Sequence, residues 1–196
     1  AYLKEELEDR TSNQISDRTQ IDSSQWSLFA ESTWSVAKYF ELTTGLRYDD
    51  DEYFGDQWSP RVYGVYHLSR ATTLKGGVST GFRAPNLRQT TEDWGQVSRG
   101  GDIYGNPDLQ AETSVNYELG LYTHFSRGVK SSVTVFYNEF DNKISRIACP
   151  ATQCTGGPNQ FGSMPTTYVN VDEAVTQGVE ATFDARFNKA WKLSAN

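Results

Sequence analysis

Apolar and polar residues alternate with a period of two through most of the chain, and this pattern predicts β-strands. Residues 25–34 put Trp26, Leu28, Ala30 and Trp34 on one face and Gln25, Ser27, Glu31 and Thr33 on the other, with Phe29 as the exception. Residues 40–48 oppose Phe40, Leu42, Thr44, Leu46 and Tyr48 to Glu41, Thr43, Gly45 and Arg47. Similar patterns cover 62–68, 74–82, 114–125 and 129–137. The cleanest is 178–187, where Val179, Ala181, Phe183, Ala185 and Phe187 oppose Glu180, Thr182, Asp184 and Arg186. With partial strands at both termini, about nine strands are predicted.

The connections select the architecture. Four are short, around 36–38, 69–71, 126–128 and 188–190. Those between them are longer and polar, at about 9–23, 49–57, 83–112 and 146–167. A soluble sandwich gives no reason for strict alternation of short and long. A transmembrane barrel does, with tight turns on one side and long loops on the other. Trp34, Tyr39, Phe40, Phe187 and Trp191 fall beside short turns, as an interfacial belt requires. The expected fold is therefore all-β: an antiparallel transmembrane β-barrel whose apolar face meets lipid and whose polar face lines a wet lumen.

Composition agrees. Apolar residues are 37% of the 196, and aromatic residues 13%. Few aliphatics beside many aromatics suits a wall with one apolar face better than a soluble core. No run of 18 or more apolar residues exists, so no transmembrane helix is expected. The net charge of −7 argues against nucleic acid as a partner. The termini read as strand interiors, so the chain is expected to be a fragment; the alternative is a small protein with two open edges, which invite aggregation.

Cys149 and Cys154 stand five apart with no third ligand type nearby, so no metal site is expected. They read as a small disulfide pinching a loop, with two free thiols as the alternative. Asp49, Asp50, Asp51 and Glu52 form an acidic run, read as a solvated loop, with calcium as the other option. His67 and His124 have no partner spacing. No nucleophile elbow, phosphate loop or dinucleotide fingerprint occurs, so no catalytic residue is expected.

Three stretches carry a family resemblance. They are Leu74 through Gly81-Phe82-Arg83-Ala84-Pro85-Asn86-Leu87, Gly105-Asn106-Pro107-Asp108-Leu109-Gln110-Ala111-Glu112-Thr113-Ser114, and Asn170 through Gly178-Val179-Glu180. In order and spacing the chain resembles TonB-dependent outer-membrane siderophore receptors over roughly 57–187, nearest the colicin I receptor and ferric enterobactin receptor group. The Asn142-Lys143-Ile144 segment adds to this. The resemblance implies that these are about nine strands of an expected, roughly 22-stranded barrel. It also implies a plug domain and a TonB box outside this chain, and location in a Gram-negative outer membrane with extracellular loops.

It further implies a ferric siderophore as ligand, no cofactor, and TonB as partner through the plug. Lipopolysaccharide, and a colicin or phage at the loops, are further implied partners. A ferric catecholate is anionic and aromatic, so its site calls for cations and ring faces. The long loops offer Arg83, Arg88, Trp94, Arg99, Tyr104, Arg146 and Phe161. The bland reading is that these are ordinary loop residues or contact lipopolysaccharide. Haem, cobalamin or a hydroxamate siderophore are alternative cargoes; a barrel enzyme or porin fits less well. The motifs also have structural readings. Pro85 and Pro107 end strand pairing, Gly76, Gly77 and Gly81 leave room on a strand, and Glu112 and Thr113 satisfy backbone donors where a loop rejoins the wall.

Overall fold

The computed structural model describes residues 1–8, 20–91, 95–126, 128–154, 156–188 and 190–196. The elements are β1 (Tyr2–Glu8), β2 (Gln20–Ala37), β3 (Phe40–Asp51), β4 (Gly55–His67), β5 (Thr72–Arg83), a one-turn helix α1 (Leu87–Thr90), β6 (Gly95–Gln96), β7 (Ile103–Tyr104), β8 (Glu112–Ser126), β9 (Val129–Ala148), β10 (Thr166–Arg186) and β11 (Lys192–Ala195). The long strands form an antiparallel meander, β1-β2-β3-β4-β5-β8-β9-β10, with β11 paired to the far end of β10. These are the nine expected strands. The two-residue β6 and β7 lie within the longest loop, and β7 joins the start of β10 in a parallel pairing.

The register fixes which residues share a face. Rows such as Trp34, Leu42, Gly64, Gly76, Leu119, Val135 and Val179 run across seven strands. Their large side chains are open rather than packed, with Leu119 50% and Val179 67% exposed. Among the described residues the buried apolar set is only Ile21, Leu87, Leu109, Cys154 and Ala185. A sheet whose apolar face is its exposed face has its hydrophobic partner outside the protein. That partner is lipid.

Aromatics bound this face at both ends. Trp34, Tyr39, Phe187 and Trp191 are more than half exposed beside the short turns, as expected. A second group, Trp26, Tyr48 and Trp58, stacks at the opposite end, with ring centroids 5.2 and 4.7 Å apart. Eight residues of β2 separate Trp26 from Trp34, about 27 Å of strand. Tilted as barrel strands are, that spans roughly 20 Å of height, close to an outer-membrane apolar band.

The opposite face is polar. Glu31 pairs with Arg61 at 3.4 Å, and Arg47 with Asp49 at 2.7 Å. The room left by glycines is filled by neighbours across the ladder. The Tyr63 ring overlies Gly77, where a Cβ would come within 2.6 Å of it, and Phe136 overlies Gly178.

Several boundaries differ from the sequence expectation; β2 begins at Gln20, inside the expected 9–23 connection, and β4 at Gly55 rather than 62. Strands β9 and β10 continue far past residue 137 and begin far before residue 178. The backbone ladder runs through these stretches and side chains reinforce it: Asn138 Nδ2 donates to Thr176 Oγ1 and Asn170 Nδ2 to Asn142 O. The expected loop at 49–57 is a turn of residues 52–54 between β3 and β4. The acidic run lies mostly on β3, and the solvated-loop reading is overturned. Asp49 is buried against Arg47, and the Asp51 carboxylate accepts the backbone N–H groups of Tyr53 and Phe54.

Candidate functional site

The connection from β5 to β8 folds back onto the end of the sheet. Pro85 ends the β5 ladder. Asn86 then caps α1 reciprocally with Gln89: Asn86 Oδ1 accepts from Gln89 N at 3.1 Å, and Asn86 N donates to Gln89 Oε1 at 2.9 Å. Leu87 buries against Ile21 of β2, with Leu7 of β1 beside it. The return leg is held as tightly. Gly105 backs onto the Thr91 backbone with no space for a Cβ. Asn106 donates through N to Gln89 O at 2.6 Å and through Nδ2 to Tyr168 O at 2.8 Å.

Two side chains, Asn170 and Glu112, anchor the loop where it rejoins the wall, Asn170 on the backbone of Gln110. Gln110 and Asn170 bond reciprocally, N to Oδ1 at 2.8 Å and Nδ2 to O at 2.9 Å. Glu112 accepts the Ile144 N–H at 2.6 Å through one oxygen and pairs with Arg83 at 3.1 Å through the other. Asn142, at φ 55°, occupies the left-handed conformation that Asn tolerates, just beyond the last β8–β9 pair, Thr113 with Asp141. The structural role expected of Glu112 is thus present. Changing Glu112 to Ala is expected to weaken this junction by about 1–2 kcal/mol, because the Ile144 N–H loses its acceptor. Glu112→Gln retains an acceptor and is expected to cost less. Hydrogen exchange at Ile144 distinguishes the two variants.

The second long connection, between β9 and β10, is closed by the Cys149–Cys154 disulfide. It docks onto the first. Ile103 and Tyr104 pair with Thr166 and Thr167. Thr166 N donates to Asp102 O at 2.8 Å, and Thr167, fully buried, donates its hydroxyl to Tyr104 O at 3.2 Å. Arg146 donates to Thr166 Oγ1 at 2.9 Å and to Gly100 O at 3.3 Å. Asn159 Nδ2 reaches Ser98 O at 2.7 Å and Asp102 Oδ1 at 2.8 Å, and Ser163 Oγ donates to Arg99 O at 2.7 Å.

This docking gathers four of the sequence candidates. Arg99, Tyr104, Arg146 and Phe161 all belong to the joined loops. Arg99 and Arg146 are exposed, Tyr104 is half-buried and Phe161 is 51% exposed. Arg88 projects from α1 and donates to Gln96 Oε1 at 3.2 Å. Arg83 belongs to a different cluster. Beyond its bond to Glu112, it lines a cleft of about 260 Å³ under α1 with Arg47, Asp49 and Asp51. Trp94 lies outside the described residues. The joined loops thus present two cations, Arg99 and Arg146, and the Phe161 ring to solvent. Among the described residues no cluster of His, Cys, Asp and Glu is arranged to hold a metal ion. Asn159, Asn106 and the Gln110–Asn170 pair were not among the sequence candidates. Their bonds span about 60 residues; Asn106, Gln110 and Asn170 lie in the resemblance motifs, whereas Asn159 stands in turn-rich sequence without one.

Residues 7–196 match the family model described as TonB dependent receptor-like, beta-barrel. The chain is 55% identical over 192 residues to an iron-regulated outer membrane virulence protein of Vibrio cholerae, covering 98% of the chain and 29% of that protein. It is 36% identical over 182 residues to a ferric enterobactin receptor of Pseudomonas aeruginosa, covering 87% and 24%. The crystal structure of the siderophore receptor PirA from Pseudomonas aeruginosa superposes with a TM-score of 0.83 at 29% identity, covering 98% of this chain and 36% of that one. The chain therefore spans about three-tenths of the length of the first of these relatives.

Proposed function

The chain belongs to the TonB-dependent receptor β-barrel family of the Gram-negative outer membrane, and from that premise we propose that it forms the loop-bearing wall of a receptor that captures a ferric siderophore of the catecholate class for import. The observation that carries the reading is the docking of the two long loops, which presents Arg99, Arg146, Tyr104 and Phe161 on one unit. The similarity to a ferric enterobactin receptor supports the ligand class. Arg88 and Trp94 of the same loop, and Arg83 at its root, complete the proposed binding set.

In this reading the ligand is captured at the loops. A plug domain supplied by the rest of the polypeptide fills the lumen, and TonB acting on that plug admits the ligand. The chain acts as a receptor and transporter rather than an enzyme. Lipopolysaccharide surrounds the outer aromatic group, and the exposed loops offer a landing surface to a colicin or phage.

The test is a fluorescence titration of the full-length receptor in detergent with ferric enterobactin, its linear breakdown product and ferrichrome. Saturable quenching by the catecholates at nanomolar to micromolar concentration, with none by ferrichrome, is the expected outcome. Tight ferrichrome binding overturns the ligand class. No binding by any of the three overturns the siderophore reading and turns attention to haem and cobalamin.

A further inference from the structure

Among the described side chains that join the two long loops, Asn159 alone bonds both the other loop and the turn of its own loop through one amide. Asn159 uses every polar atom it has. Its Nδ2 spans to the other loop, to Ser98 O and the Asp102 carboxylate. Its Oδ1 accepts Phe161 N at 3.0 Å and Ser163 N at 3.3 Å, and its backbone bonds Ser163 O and Gly162 N. One amide therefore fixes the turn that carries Phe161 and, at the same time, the backbone that carries Arg99. Gly101 closes the contact from the other side. At φ 105° it lies so near Met164 O that a Cβ would sit 1.8 Å from it.

We propose that Asn159 is a positioning residue for ligand capture: it locks the loops into one clasp and sets the separation between Arg99 and Phe161. The inference rests on the reading of these loops as capture loops. An isosteric change inverts the chemistry. In Asn159→Asp the donor is replaced by an acceptor that faces the Ser98 carbonyl and the Asp102 carboxylate. Two carboxylates at hydrogen-bond distance cannot both stay ionised without repulsion, and acidification lets them share a proton. Arg99 and Arg146 are the cationic side chains of the adjoining segments; Arg146 donates to Thr166 and Gly100, and the Asn159 amide is engaged by Ser98, Asp102, Phe161 and Ser163 instead.

The experiment uses the full-length receptor. Hydrogen exchange is read on peptides spanning 95–104 and 157–166, and dissociation is measured for ferric enterobactin, each relative to the unaltered receptor at the same pH. Asn159→Ala is expected to raise both rates about tenfold at every pH, as loss of a bridging donor pair does. Asn159→Asp is expected to match it at neutral pH and to recover by at least threefold at about pH 5, a reversal that simple misfolding does not produce. Gly101→Ala separates the loops while leaving the amide intact and is expected to speed dissociation too. Rates for the Asn159 variants within about twofold of the unaltered receptor overturn the proposal. So does a Gly101→Ala receptor that opens in exchange but releases ligand at the normal rate. If the unaltered receptor binds no ferric catecholate, the functional reading falls, while the exchange measurement still decides whether Asn159 locks the loops.

Discussion

Replacing Leu119 with Arg is expected to lower the stability of the membrane-embedded barrel by about 2–4 kcal/mol. Leu119 sits mid-row on the open apolar face, between Gly76 of β5 and Val135 of β9; it lies over Gly76 and leaves half its surface open outward. In a soluble sheet an Arg at a half-exposed site would cost little. In lipid the guanidinium has no partner, and the strand is too far from either interface for it to reach water freely. The control is Ser132→Arg on the polar face, where Ser132 bonds Thr182 at 2.7 Å across the lumen side of β9 and β10. That change forfeits one exposed hydrogen bond, about 1 kcal/mol or less. Urea unfolding of the full-length protein in lipid vesicles measures both. Equal costs would show that the apolar face does not meet the bilayer.

The double change of Arg88 and Arg99 to Ala is expected to weaken ferric catecholate binding by about 100-fold. Each exposed guanidinium supplies a charge-assisted hydrogen bond worth about 1.5 kcal/mol to an anion, and each 1.4 kcal/mol is a tenfold change. Most of the effect is expected in dissociation. Stability should hardly change, because Arg88 bonds only Gln96 among the described contacts and Arg99 engages through its backbone carbonyl. Titration of the variant against the unaltered receptor decides. Affinity within about threefold would remove these two cations from the binding set.

How much of this was legible in the sequence follows from what each segment must satisfy. Where the wall meets lipid, each strand has one apolar and one wet face, and the alternation from Trp26 to Trp34 or Val179 to Phe187 records it directly. Above the bilayer that demand lapses. Residues 138–145 of β9 and 166–177 of β10 kept their ladder with no pattern to announce it. The acidic run misled for a related reason: charge density alone suggested solvent, whereas Asp49 answers Arg47 two residues away on the same face of β3. At the site, residue types pointed to the right loops. The pairing of those loops was invisible, because Asn159 with Asp102 and Gln110 with Asn170 are matches between distant positions.

The parallel pairing of Ile103 and Tyr104 with Thr166 and Thr167 has an evolutionary consequence. Side chains alternate across a strand, so slipping this pairing by one residue would turn Ile103 and Tyr104 over relative to β10. The two loops are therefore not free to diverge separately. Relatives should change their lengths together, and a graft that swaps specificity by moving one loop alone should fail where exchanging both succeeds.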